Sequence, residues 1–341
     1  MNNKSNRVLV TGSAGFMGSH LVDYLINLGH EVYGIDDLSG GYLHNVSKNA
    51  KPSFIKIDLK NKKKTAQAVI KIKPEIIYHL AAIAREGLSQ FSPIAHTENN
   101  YNAYLNLLIP SINSGVKRMV VCSSMAVYGN QKPPFTEDMK KEPFDIYGVA
   151  KTAMEQATEI LADVYNFEYV ILRPHNVYGP RQNMADPYRN VVAIFINSLL
   201  KKKPFYIYGN GEQKRAFSYI DDITPSIANA GFLKKANKQI INVGPEKEYT
   251  INQLADVILK AFDSSIKPVY LEDRPREVKE AFCSAQRARD ILGFQDKTSL
   301  SAGVEKMVKW AKTVGYTNPK YLKDLELESE QTPKTWSNKL I

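Results

Sequence analysis

Residues 7–37 read RVLVTGSAGFMGSHLVDYLINLGHEVYGIDD. RVLVTG, 7–12, is a short apolar run ending on glycine, the pattern of a buried parallel strand. GFMGSHLVDYLINLGH then spaces its apolar residues as a helix does, and EVYGIDD, 31–37, is a second strand. Gly12, Gly15 and Gly18 stand between the first strand and the helix, with Phe16 and Met17 among them. At this spacing the first glycine permits a tight turn, the second lets backbone approach a pyrophosphate, and the third lets helix and strand pack closely. The helix N-terminus adds unpaired N–H groups and partial positive charge. Asp36, followed by Asp37, closes the second strand eighteen residues after Gly18. A carboxylate there accepts ribose hydroxyls and repels a 2′-phosphate, which favours NAD over NADP.

The same alternation continues outward. SFIKIDL (53–59), PEIIYHLAA (74–82), VKRMVVCSS (116–124), YVILRP (169–174) and IINVG (240–244) read as further strands. Helical patterns separate most of them, including 92–115 and 145–165. Strand and helix in alternation specify a parallel sheet covered on both faces. After residue 175 the rhythm changes to a long polar loop, a helix, a short strand and three amphipathic helices. The tail from about residue 318 is polar and reads as an extended arm.

The chain has 341 residues, 43% hydrophobic and 23% charged, ordinary values for a globular protein. Two cysteines far apart, Cys122 and Cys283, offer neither a disulfide framework nor a zinc site, and fit a reducing cytoplasm. MNNKSNRVLVTG runs directly into a strand pattern, predicting no signal peptide, and no apolar run is long enough to span a bilayer. The net charge of +10 lies largely in the lysine runs 60–64 and 201–203. With no zinc-finger, RRM or basic-zipper pattern beside them, these read as solvated surface rather than a nucleic-acid interface.

DIYGVAKTAMEQ, 145–156, places Tyr147 and Lys151 four residues apart in a helical pattern. Positions i and i+4 share a helix face, and an ammonium near a phenol favours the phenolate. Such pairs arise by chance in many helices, so the surroundings must assign the role.

Those surroundings resemble the extended short-chain dehydrogenase/reductases, and among them the nucleotide-sugar epimerases and dehydratases, closest to the UDP-hexose 4-epimerases. The motifs that carry the resemblance are TGSAGFMG, IDDLSGG, YHLAA, VCSSMAVYG, YGVAK, RPHNVYGPRQ and GNGEQKRAFSYIDD, in family order from residue 11 to 222. The resemblance implies an α/β fold: a Rossmann-type doubly wound parallel sheet with a smaller, mostly helical α/β substrate-binding lobe. The NAD-binding domain would comprise 1–175 and 218–246, and the nucleotide-sugar lobe and tail 176–217 and 247–341. It implies Ser124, Tyr147 and Lys151 as the catalytic set. Asp58 and Leu59 would contact adenine, Ala81 and Ala82 would line the cofactor, and Asn100 would steady backbone beside it. Asn176 and Arg215 would hold the diphosphate, with Arg274 as a further phosphate-binding arginine. Around Arg274 the motif departs from the family form, since Arg276 and Glu277 stand where Gly and Asp are common. No metal is implied. A homodimer through the helices at 92–115 and 145–165, in the cytoplasm, is.

In a 4,6-dehydratase an Asp and a Glu directly follow the active hydroxyl residue. Here Met125 and Ala126 stand there, and neither transfers a proton. Arg85 and Glu86, after the fourth strand, are either a surface ion pair or readers of the hexose hydroxyls. Arg181 and Arg189 are further candidate diphosphate ligands. Cys122 and His79 read as buried strand residues, while His175, Tyr178 and Tyr188 suit loop packing or sugar contact equally. Small residues at Ala281 and Cys283 lean towards tolerance of an N-acetyl group. The reading is therefore an NAD-dependent UDP-hexose 4-epimerase acting through a 4-keto intermediate. The alternatives are a dehydratase, decarboxylase or 3,5-epimerase of the same family, or a non-catalytic NAD-binding regulator.

Overall fold

The computed structural model describes residues 5–189, 191–274, 277–322, 325–327 and 329–341; Arg276 lies outside them. Val8, Leu9 and Val10 in β1 (Arg7–Thr11) are fully buried, so an unalternating apolar run has become a strand covered on both faces. The other central strands are β2 (Glu31–Asp36), β3 (Phe54–Lys56), β4 (Ile76–His79), β5 (Arg118–Cys122), β6 (Glu168–Pro174) and β7 (Gln239–Val243). They lie in the order β7-β6-β5-β4-β1-β2-β3, every neighbouring pair parallel. Strand order reverses between β1 and β4, and the crevice beyond the C-terminal ends there is where such sheets take ligands.

Helices α1 (Phe16–Asn27), α2 (Lys62–Ile72), α3 (Glu86–Ser89), α4 (Pro93–Thr97), α5 (Ala103–Asn113) and α6 (Ile146–Tyr165) belong to the first half. The second half adds α7 (Val191–Leu200), α8 (Ile220–Ala230), α9 (Ile251–Phe262), α10 (Gln286–Leu292), α11 (Leu300–Val314) and α12 (Lys334–Ser337). Side chains alternate across a strand. Val8 and Val10 accordingly pack with Leu21 and Leu25 of α1 and Ile227 of α8, whereas Leu9 packs with Val69 of α2, Leu107 of α5 and Met154 of α6. A third core, built on Phe195, Ile258 and Met307, joins α7, α9 and α11. No described helix is long and apolar enough to cross a membrane.

One expectation is refined and another corrected. The helix expected over 92–115 runs unbroken from 93 to 113, with α4 and α5 joined by a π-helical turn at Glu98–Asn102. Asn100 sits in that turn, fully buried, accepting from Ile83 N (2.9 Å) and donating to Ile83 O (3.1 Å). Its side chain fastens to the loop after β4, and widened turns of this kind are frequent at functional sites.

The tail is also no extended arm. Lys320 N donates to Ala185 O (2.8 Å) and Leu322 N to the Tyr188 hydroxyl (2.8 Å). The Glu326 carboxylate then receives the N–H groups of Ile94 and Ala95 (2.7 and 2.8 Å) at the start of α4. Trp336 is buried with Leu88, Phe91 and Tyr188. The tail is polar on average, but Tyr321, Leu325 and Trp336 give it anchors enough to fold back as a strap.

Candidate active site

A cleft of about 840 Å³ opens across the C-terminal ends of the sheet and extends into the lobe around α7 and α9. Gly12, Gly15, Phe16, Met17, Asp36, Asp37, Asp58, Leu59, Ala81 and Ala82 all line it. Gly12 has φ +71°, and a Cβ there would stand 2.8 Å from Ala81 N. A Cβ on Gly18 would stand 2.0 Å from Gly12 O. Side chains at either position would break the turn. Gly15 caps α1 without a side-chain hydrogen bond to its first N–H groups, leaving the helix end to face a phosphate. Asp36 accepts from Ala14 N (3.0 Å) and Leu38 N (2.7 Å), bracing the glycine turn. A carboxylate has about four acceptor sites, so capacity remains for ribose hydroxyls. These features fit NAD. His79 is fully buried at the end of β4, bonded through Nδ1 to Thr11 Oγ1 (2.9 Å), and burial pushes its pKa down to about 3, so it stays neutral.

At the end of β5 the chain turns into a short helical turn, Met125–Tyr128, capped by Ser124, whose Oγ accepts from Ala126 N (3.1 Å). Asp145 caps α6 by accepting from Gly148 N (2.7 Å), which fixes the first turn of that helix and with it Tyr147. Lys151, one turn on, donates to Cys122 O (2.7 Å), with its Nζ 5.6 Å from the Tyr147 ring centroid. The Ser124 hydroxyl lines the cleft beside Tyr147 and favours its phenolate. The three residues expected to act together do meet, lining one cleft. The electrostatics differ from expectation, however. Burial pushes the Tyr147 phenol well above its ordinary value, and the Glu86 carboxylate and Cys122 thiol push it further, against the pull of the Ser124 hydroxyl. Burial likewise draws the Lys151 ammonium down. Within the protein alone, desolvation outweighs the i+4 ammonium, and the phenolate needs a further positive charge nearby.

Behind this set, Arg173 of β6 and Glu155 of α6 form a doubly hydrogen-bonded pair (2.8 and 2.6 Å), both fully buried. Ser123 Oγ donates to the same carboxylate (2.5 Å), Arg173 donates to the Tyr128 hydroxyl (2.6 Å), and Lys141 adds a second cation at 3.0 Å. Together they clamp both flanks of Ser124.

At the far end of the cleft, Arg215 and Arg274 share one carboxylate, Glu277 (3.2 and 2.6 Å). Arg215 also donates to Val278 O (2.6 Å), and the Arg274 guanidinium lies 4.9 Å from the Tyr208 ring centroid. Asn176 holds the wall by donating to Ala216 O (3.0 Å). Arg85 and Glu86 are not a pair. Arg85 binds Asp186 (2.8 Å) and lies over Tyr188, whereas Glu86 points its exposed side chain into the cleft. Arg189 also faces Asp186 (3.4 Å), but Arg181 is drawn away to Asp23 on α1 (2.8 Å) and leaves the arginine group expected from the sequence. His175 is buried and bonded to Pro245 O (3.0 Å), and Tyr178 packs against Phe217 and Tyr219. Ala281 lines the cleft, but Cys283 packs away from it among Val127, Tyr128 and Phe135, so only one of the two small residues bears on sugar size.

Sequence reasoning missed Tyr208, Asp186 and the strap residues Thr335 and Trp336, all lining the cleft. The aromatic residues of the tail were the available signal.

The family model described as the NAD dependent epimerase/dehydratase family matches residues 8–244. The UDP-glucose 4-epimerase of Mycolicibacterium smegmatis is 34% identical over 311 residues, covering 89% of this chain and 98% of that one. The crystal structure of the Thermotoga maritima UDP-glucose 4-epimerase with UDP-glucose superposes with a TM-score of 0.85 at 33% identity, covering 90% of this chain and 99% of the other. The Bacillus cereus UDP-glucuronic acid 4-epimerase, solved with UDP-glucuronic acid and NAD, gives 0.83 at 29% identity, with coverages of 90% and 99%.

Proposed function

The chain belongs to the NAD-dependent epimerase/dehydratase family, and from that premise we propose that it is a UDP-hexose 4-epimerase, working on UDP-glucose and UDP-galactose or their N-acetylated forms. The observation that carries this is the meeting of Ser124, Tyr147 and Lys151 beside a glycine turn built for a dinucleotide, with Met125 and Ala126 in the same turn. When bound, NAD would supply the hydride acceptor for oxidation at the sugar C4 and the hydride for its re-reduction, and its positive ring would favour the Tyr147 phenolate.

The residues do the rest. Tyr147 takes the C4 hydroxyl proton as general base and gives it back once the 4-keto sugar has turned over. Ser124 hydrogen-bonds the same hydroxyl and relays its proton. Lys151 supports the phenolate and holds the nicotinamide ribose. Asp36 holds the adenine-side ribose, Asp58 and Leu59 border the adenine, and Asn100 keeps the loop after β4 in place. Arg215 and Arg274 fork the diphosphate, with Asn176 on the same wall. A 4,6-dehydratase would need proton carriers where Met125 and Ala126 stand, which favours simple epimerisation over elimination. The division of labour follows the same proposal: 1–175 with 218–246 for NAD, 176–217 with 247–341 for the nucleotide sugar.

The test is incubation with a panel of nucleotide sugars, without added NAD, followed by NMR of the products. Inversion at C4 with no solvent deuterium at C3 or C5 is expected. Deuterium at either carbon, or loss of water or carboxylate, would replace the reading with another fate of the 4-keto sugar.

We place the enzyme in the cytoplasm, consistent with two free cysteines, and propose that it is a homodimer through α5 and α6. Val149, Ile160 and Val164 are 50%, 62% and 67% exposed and share one stripe of α6, and Ile109 of α5 is 46% exposed. Ile160→Glu with Val164→Glu should convert a dimer to a monomer in sedimentation at micromolar concentration. A wild type that already sediments as a monomer would end the dimer proposal.

A further inference from the structure

We propose that Glu86 is a charge filter at the sugar end of the cleft, admitting neutral hexoses and turning uronic acids away. This rests on the reading of the cleft as a UDP-hexose site and names the class of sugar that it takes.

Glu86 opens α3, and its side chain is exposed into the cleft. It lines the same cleft as Tyr147, Lys151, Arg189, Arg215 and Arg274, and its charge acts on the proton-transfer pair and the arginines alike. A nucleotide sugar with its diphosphate on Arg215 and Arg274, and its reacting hydroxyl on Tyr147, lays its hexose ring in the cleft that this carboxylate lines. The enclosing walls of the cleft raise the Glu86 carboxyl above its ordinary value, and its own backbone N–H with Arg189, Arg274 and Arg215 work against that rise.

Most of the neighbouring cations are already engaged. Arg85 binds Asp186, Arg215 and Arg274 share Glu277, and Lys151 is held by Cys122 O, while Arg189 only faces Asp186 at 3.4 Å. A carboxylate on the hexose would meet a like charge in a confined space while its countercharges serve other anions. A hydroxyl, by contrast, can donate to Glu86. The turn that aims Glu86 is fixed from behind: a Cβ on Gly87 would stand 3.4 Å from the Trp336 ring, and Leu88 packs in the Trp336 cluster.

The experiment compares UDP-glucose with UDP-glucuronate on the wild type and Glu86→Gln, by steady-state kinetics and by calorimetric binding. The wild type should favour UDP-glucose by about 10²-fold in kcat/KM. In Glu86→Gln the glucuronate-to-glucose ratio should rise by about tenfold or more. Equal use of both sugars by the wild type, or a ratio that does not move in the variant, overturns the filter. Absence of turnover on every UDP-sugar would sink the underlying reading instead, and the binding ratio would then still decide the filter: a preference for UDP-glucose that Glu86→Gln weakens upholds it, and equal binding rejects it.

Discussion

Tyr147→Phe should lower kcat by about 10²–10⁴-fold, the range over which a positioned proton-transfer group contributes. The phenol is buried, and phenylalanine preserves the ring that packs there, so folding should be unaffected. Tyr147, Ser124 and Glu86 line the one cleft in which a sugar hydroxyl would be deprotonated. Because the base must lose its own proton, the wild-type rate should climb with pH as the phenol ionises. The residual rate of the variant should lack that limb. Stopped assays of UDP-galactose conversion across pH measure both. A variant retaining a tenth or more of the wild-type kcat would remove Tyr147 from its role.

The second large effect is on stability. Arg173→Met should destabilise the fold by about 3–5 kcal/mol, because it strands the Glu155 carboxylate in the core. Arg173 makes two hydrogen bonds to it and one to Tyr128, all within a region closed to solvent. Lys141 remains at 3.0 Å and sets the lower end of the range. For Glu155, burial raises the pKa, but the Arg173 hydrogen bonds and charge, with Lys141 and Ser123, outweigh it and hold the carboxyl below 4.5. A depressed folded pKa gives stability that is present above the unfolded value and lost as pH falls through the folded one. The gap between wild type and variant should therefore narrow on acidification below about pH 4.5. Urea midpoints at pH 7 and pH 4 report it, and a difference under about 1 kcal/mol at pH 7 would show the clamp to be dispensable.

The parts of this molecule legible in its sequence are those whose geometry is local. Gly12 and Gly18 can be read because a side chain at either would strike backbone. Tyr147 and Lys151 can be paired because helical spacing alone puts them on one face. The strands can be read because a run covered on both sides must be continuously apolar. What escaped depends on distant neighbours. Arg181 looks like its fellow arginines until α1 presents Asp23. The direction of the Tyr147 shift follows from how deeply the finished fold buries it, which spacing does not express. The π turn answers to Ile83, seventeen residues from Asn100. The tail follows its few aromatic anchors rather than its average polarity.

The strap has one more consequence. The chain holds two tryptophans, Trp310 and Trp336. Trp336 borders the cleft, edge-on to Phe91 and Tyr188, whereas Trp310 packs on the core of the lobe. Indole emission responds to its surroundings, so in a Trp310→Phe background the remaining fluorescence becomes a built-in optical gauge. Without any added dye, it would follow in real time the arrival of a nucleotide sugar in the cleft that Trp336 borders.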